Sequence, residues 1–149
     1  TSTQGGENMF NDVPGFFDNF VKAYDLAVMN ECNKDTKMNI LHICDWIGPY
    51  DDLTRFADYP GQIVNTPLVV GGEPFTLEDG IELFGRPVIG PLNRKTEILS
   101  ASADEIKTLV NTALENAPAG KTMLGADCTV STAPIANIQA AISAAHHRN

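Results

Sequence analysis

Two metal-type ligands two residues apart, His42 and Cys44, close the apolar run Met38-Asn39-Ile40-Leu41-His42-Ile43-Cys44. Successive side chains of a strand point to opposite faces, so Ile40, His42 and Cys44 would share one face and Leu41 and Ile43 the other. A third ligand type, Cys128, lies 84 positions on (128 minus 44), just after a second short apolar run, Thr122-Met123-Leu124-Gly125-Ala126. His-x-Cys with a distant Cys is a ligand set suited to a catalytic zinc that keeps one position open. On the residues alone, a core histidine beside an inert buried thiol is the competing reading.

Other reactive residues are read against the same frame. Glu73, in Val70-Gly71-Gly72-Glu73-Pro74, is a candidate fourth ligand, with an ordinary turn as the alternative; Gly71-Gly72 is too short for a phosphate loop. Arg94 and Lys95 follow the strand-like Pro87-Val88-Ile89-Gly90 and would sit at the same end of the sheet as the ligands. There Arg94 could bind a substrate sulfonate or carboxylate, against the alternative of a basic pair on the surface. Asp45 beside Cys44, and Asp127 before Cys128, are either helpers of the ligands or solvated carboxylates. Cys32 is expected to be a packing residue, and His146 and His147, beside Arg148, to suit the negative end of a final helix.

The elements that must position these residues alternate in type. Pro14 opens a helical pattern in which Phe16, Phe17, Phe20, Tyr24, Ala27 and Val28 recur at three- and four-residue steps. The 38–44 strand follows, then a loop and a short helix near 51–58 with Leu53 and Phe56 inward. Tyr59-Pro60-Gly61 turns into a short strand at 62–65. Thr76 caps a helix whose face is Leu77, Ile81 and Phe84, closed by Gly85. A strand at 87–90 precedes the capping box Ser102-Ala103-Asp104-Glu105 and an amphipathic stripe of Ile106, Leu109, Val110, Ala113 and Leu114. After the 122–126 strand, a last helix begins near Pro134 with Ile135, Ile138, Ile142 and Ala145 inward. Thr3-Gln4-Gly5-Gly6 is punctuation without a fold of its own. Four strands alternating with helices imply right-handed crossovers and a parallel sheet. Pattern alone leaves two architectures, an open four-stranded α/β sheet or half of a (β/α)8 barrel.

Composition narrows the classes. A chain of 149 residues, 43% hydrophobic, can build one domain. A formal charge of −9 and a pI of about 4.6 disfavour a phosphate-backbone partner, so no nucleic acid is expected. No apolar run approaches the roughly 20 residues that span a bilayer, so no membrane is expected. Three cysteines without secretory features suggest free thiols and a cytoplasmic location. The chain starts without methionine, on what reads as the tail of a strand-to-loop transition, and is expected to be part of a longer protein.

Several stretches resemble the uroporphyrinogen decarboxylase superfamily: Gln4-Gly5-Gly6, Phe16 with Phe20 and Tyr24, and Ile40-Leu41-His42-Ile43-Cys44. So do Pro87-Val88-Ile89-Gly90-Pro91-Leu92-Asn93, Leu124-Gly125-Ala126-Asp127-Cys128 and Pro134-Ile135-Ala136-Asn137. The resemblance covers essentially the whole chain, read as one domain, 1–149, matching the C-terminal half of the family's (β/α)8 TIM barrel. It implies four parallel strands alternating with helices. It also implies the branch that moves a methyl group from a methylated corrinoid (cobalamin) protein to a thiol such as coenzyme M, with Zn2+ on His42, Cys44 and Cys128. Uroporphyrinogen decarboxylases themselves lack the His-x-Cys pair. Two positions depart from the family: Asp45 stands where a glycine usually follows the cysteine, and Gly90-Pro91-Leu92-Asn93 where Gly-Gly-Leu-Asp is common.

The expected partners are therefore a corrinoid protein, a small thiol acceptor, and either the N-terminal half of the barrel or a second copy, because half a barrel leaves two raw edges. Under the resemblance Arg94 could also hold a carboxylate side chain of a corrinoid or tetrapyrrole. The alternatives are porphyrinogen decarboxylation without a metal, and a non-catalytic half-barrel.

Overall fold

The computed structural model describes residues 2–3, as backbone, and 12–146. Gln4-Gly5-Gly6, His147 and Arg148 lie outside the described residues. The four expected strands are present: β2 (Ile40–Ile43), β3 (Ile63–Asn65), β6 (Val88–Leu92) and β7 (Thr122–Ala126). A two-residue strand, β1 (Ser2–Thr3), joins β2, so Thr3 is paired backbone and not mere punctuation. All neighbours are parallel, in the order β1-β2-β3-β6-β7. Between them run α1 (Ala23–Asn33), α2 (Leu77–Phe84), the short α3 (Glu97–Ser100) and α4 (Ala103–Asn116), and after β7 comes α5 (Ile135–His146). Parallel strands alternating with helices are the architecture expected of half a (β/α)8 barrel, and the chain is an α/β fold of that kind.

Local chemistry explains the helix ends. The Thr76 hydroxyl accepts from the Asp79 N–H while the Asp79 carboxylate accepts from the Thr76 N–H. Ser102 and Glu105 close the same reciprocal box on α4. Gly85 ends α2 at φ +64°, a conformation that glycine adopts without a Cβ clash. Arg86 donates to the Tyr59 and Gly61 carbonyls, 2.7 Å each, and pins the turn before β3.

The core fills the layer between the sheet and the helices. Leu41, Ile43 and Val64 project from the sheet into a cluster with Met29, Tyr50, Leu53, Phe56, Tyr59 and Phe84. A second cluster joins Leu92, Ile98, Ile106, Val110, Ala140 and Ala141. The expected inward positions Leu53, Phe56, Leu77, Ile81, Phe84, Ile106 and Val110 are all buried.

Two helices turn differently from their sequence pattern. The first begins with a wider, i→i+5 turn over Phe17–Lys22, which rotates the residues after it. Phe17, Leu26 and Met29 consequently pack inward, while Phe20, Tyr24 and Val28 are exposed. On α5 the expected inward residues Ile135, Ile138 and Ile142 are exposed, and Asn137, Ala140 and Ala141 are buried instead. The Asn137 amide explains the phase, because it donates to the Ile98 and Ala101 carbonyls at 3.1 and 2.8 Å. Cys32 is exposed on α1 and is not a packing residue. Among the described residues no helix is long and apolar enough to cross a membrane.

Candidate metal centre

β2 alternates half-buried and buried residues, which sends Leu41 and Ile43 into the helix-side core and His42 to the opposite face with Ile40. Parallel register sets His42 beside Asn65, and Asn65 beside Ile89. Cys44 continues the His42 face one step past the strand. Cys128 lies just past β7, on the far side of β3 and β6 in the sheet order. Three inter-strand steps of about 4.8 Å would separate them by about 14 Å on a flat sheet. Yet their Sγ atoms are 3.5 Å apart. The two segments converge just past their strand ends.

His42, Cys44 and Cys128 each offer one ligand atom, and these atoms lie within 4.8 Å of one another. A tetrahedral zinc with Zn–S near 2.3 Å needs sulfurs about 3.8 Å apart, so the observed pair fits with little movement. The His42 Nδ1 is buried without a hydrogen-bond partner, an orphan that a cation would satisfy. The donor set suits zinc. Glu73 does not join the group: it is exposed on an antiparallel hairpin of β4 (Val69–Val70) and β5 (Glu73–Pro74), where Gly71 and Gly72 make the turn.

Electrostatics prepare the ligands. Burial lowers the His42 pKa below its ordinary 6.5, with the Asn65 side chain pulling upward and Arg94 downward, so the imidazole is neutral at neutral pH and free to ligate. Burial and the hydrogen bond with Cys128 raise the Cys44 thiol above its ordinary 9.0, against the opposing Trp46 N–H and the charge of Arg94. Without a metal Cys44 is therefore a thiol at neutral pH, and binding a cation releases its proton.

Behind the sulfurs sits a charge cluster. Arg94 is 7% exposed. Its guanidinium donates to Asp127 Oδ2 at 2.9 Å and to Asp45 Oδ1 at 2.6 Å, and its own N–H donates to Asp127 Oδ1 at 2.7 Å. Lys95, largely exposed, reaches Asp45 Oδ2 at 3.1 Å. The structure thus places Arg94 at the site, with its guanidinium engaged by two carboxylates. Asp45 and Asp127, each open to two readings in the sequence, both serve this cluster. Asn65 was not legible as part of it, although a polar residue between Val64 and Thr66 in a buried strand signals a partner: its amide donates to the Ala126 and Ile89 carbonyls at 3.0 and 3.3 Å. A cavity of about 330 Å3, lined by Asp45, Pro49, Leu68, Asn93, Lys95 and Asp127, opens next to the cluster. That volume suits a small ligand.

Burial pushes the Asp45 carboxyl up, but the hydrogen bonds and charges of Arg94 and Lys95 outweigh it and hold the group below its ordinary 3.8. A depressed folded pKa supplies stability that is complete above the unfolded value and is lost as pH falls through the folded one. Denaturation midpoints of the unmodified chain are expected to fall more steeply below about pH 4 than those of Asp45→Asn. Parallel acid limbs for the two proteins would contradict this role.

No protein-family model and no curated protein matches the sequence. Among solved structures, a methyltransferase from Methanosarcina mazei superposes with a TM-score of 0.66 at 23% identity. The likeness is one of fold. It covers 89% of this chain and 36% of that one, so the chain spans about a third of that structure's length.

Proposed function

We propose that this chain is the metal-bearing part of a zinc-dependent methyltransferase of the uroporphyrinogen decarboxylase superfamily, transferring a methyl group from a methylated corrinoid protein to a small thiol. The observation that carries the reading is the convergence of His42, Cys44 and Cys128 from two strand ends that have two other strands between them. The fold shared with a structure described as a methyltransferase supports it.

His42 would hold the ion through a neutral imidazole, and Cys44 and Cys128 through thiolate sulfurs. Bound there, zinc would take the acceptor thiol at its remaining position and keep it deprotonated near neutral pH. Asp45 and Asp127 do not ligate in this reading; they hold Arg94 behind the sulfurs. The adjoining cavity would seat the rest of the acceptor, and Lys95 is the cation on its lining with most surface to offer. Ligands gather at the C-terminal strand ends, where parallel barrels place their chemistry.

Elemental analysis of the purified chain tests the reading. One zinc per chain is expected, with His42→Ala, Cys44→Ser and Cys128→Ser each losing more than the roughly 10–100-fold in affinity that an outer-shell change costs. The zinc form should speed demethylation of methylcobalamin by a small thiol. A folded chain that takes up no zinc would overturn the proposal and leave decarboxylation, or a non-catalytic half-barrel, as the readings to pursue.

A further inference from the structure

Cys44 and Cys128 lie just past strands separated by two others, yet their sulfurs are 3.5 Å apart, so some contact beyond neighbouring-strand pairing sets that span. Backbone pairing fixes only neighbours. β7 is tied to β6 through five register pairs and through the Asp127 N–H to the Leu92 carbonyl, 2.9 Å. β2 is tied to β3, not to β6 or β7. Two side chains cross this gap: the Asn65 amide of β3 donates to the Ala126 carbonyl of β7 at 3.0 Å, and a residue just after β6 reaches the neighbours of both cysteines. Arg94 stands two positions beyond the end of that strand, and its side chain runs both ways: one nitrogen to the residue before Cys128, the other to the residue after Cys44.

We infer that Arg94 is the positioning residue of the metal site, its guanidinium fixing the span between the two cysteines by bridging Asp45 and Asp127. This inference rests on the metal reading above and adds to it a residue that touches neither metal nor substrate. A planar fork is what the task requires, because its nitrogens are held at a fixed separation and angle, whereas an ammonium is a single point charge on a flexible stem. The bridge is largely shielded from water: the Arg94 and Asp127 side chains are 5% and 4% exposed, and that of Asp45 16%. Lys95 adds a solvent-exposed arm to Asp45 at 3.1 Å.

Arg94→Lys keeps the charge and removes the fork. Competition against a chromophoric zinc chelator is expected to show zinc affinity about 10–100-fold lower than in the unmodified chain. In the cobalt(II) form the sulfur-to-metal charge-transfer bands should weaken or shift, while the far-ultraviolet circular dichroism stays the same. A merely structural role would lower the melting temperature without moving those bands. Asp45→Asn, on the more exposed arm, decides the matter if Arg94→Lys does not fold; it is expected to move affinity and bands in the same direction. Zinc affinity within about twofold of the unmodified chain in the folded variants would overturn the inference and leave the metal site intact. An unmodified chain that binds neither zinc nor cobalt would instead overturn the metal reading itself.

Discussion

Replacing Phe56 with alanine is expected to cost about 3–5 kcal/mol, a large part of the roughly 5–15 kcal/mol that holds a domain together. Phe56 ends the short turn Thr54–Phe56 and is 0% exposed. Three rings meet it edge to face, Phe17 at 5.6 Å, Tyr50 at 5.4 Å and Tyr59 at 5.2 Å between centroids. Such pairs add to the burial of the ring itself. Leu41 and Ile43 belong to the same cluster, and they alternate with His42 on β2. The cavity would therefore open on the core side of the strand that carries the candidate metal ligand His42. Urea denaturation should show the midpoint falling at an unchanged slope, and zinc affinity should fall with it. Phe56→Leu, which keeps more of the volume, should lose less on both measurements. A loss under about 1 kcal/mol would show that the rings are not the packing centre of this half of the molecule.

What the sequence reveals of this fold depends on the range of the interaction concerned. The reciprocal bond from the Thr76 N–H to the Asp79 carboxylate is read only from the structure, whereas the N-cap at Thr76 and the capping box at Ser102 are made within four residues and both are legible in the sequence. So is the alternation along 40–44, since it depends only on the period of a strand. The closeness of Cys128 to that pair is a long-range fact; it becomes readable through the parallel strand-end rule and the resemblance, not through spacing. Arg94 is the instructive case. Its place at the C-terminal end of the sheet follows from its position after a strand, but its engagement by Asp45 and Asp127 joins residues 49 and 33 positions apart, and no local pattern encodes that. The first helix fails for a different reason. One wide turn changes the phase of everything after it, so the apolar repeat at Phe20, Tyr24 and Val28 is real but does not face the core. The hairpin at 69–74 and the four residues of α3 are too short to leave a periodic signal.

Those misplaced stripes carry the second large prediction. Phe20, Tyr24 and Val28 lie on the helical segment beside the β1–β2 edge, and Tyr24 is 69% exposed. Ile135, Ile138 and Ile142 lie on α5 after β7, the opposite edge, and Ile135 is 72% exposed. An apolar stripe at each end of a curved parallel sheet is what a barrel shows where it is cut. Without a complement, the chain is expected to self-associate at micromolar concentration. The strand count predicts the form this takes. Among the described residues the main sheet has five strands, so closing an eight-stranded barrel would take three more, whereas two copies bring ten. Self-association should therefore be polydisperse, and a co-expressed segment of three βα units should replace it with one discrete species. Sedimentation velocity distinguishes the outcomes. Tyr24→Glu combined with Ile142→Glu, charging both edges on residues that are 69% and 50% exposed, should shift the larger species toward monomer. A single sharp monomer peak for the unmodified chain would contradict the expectation, because the exposed isoleucines and aromatics would then be tolerated by water as they stand.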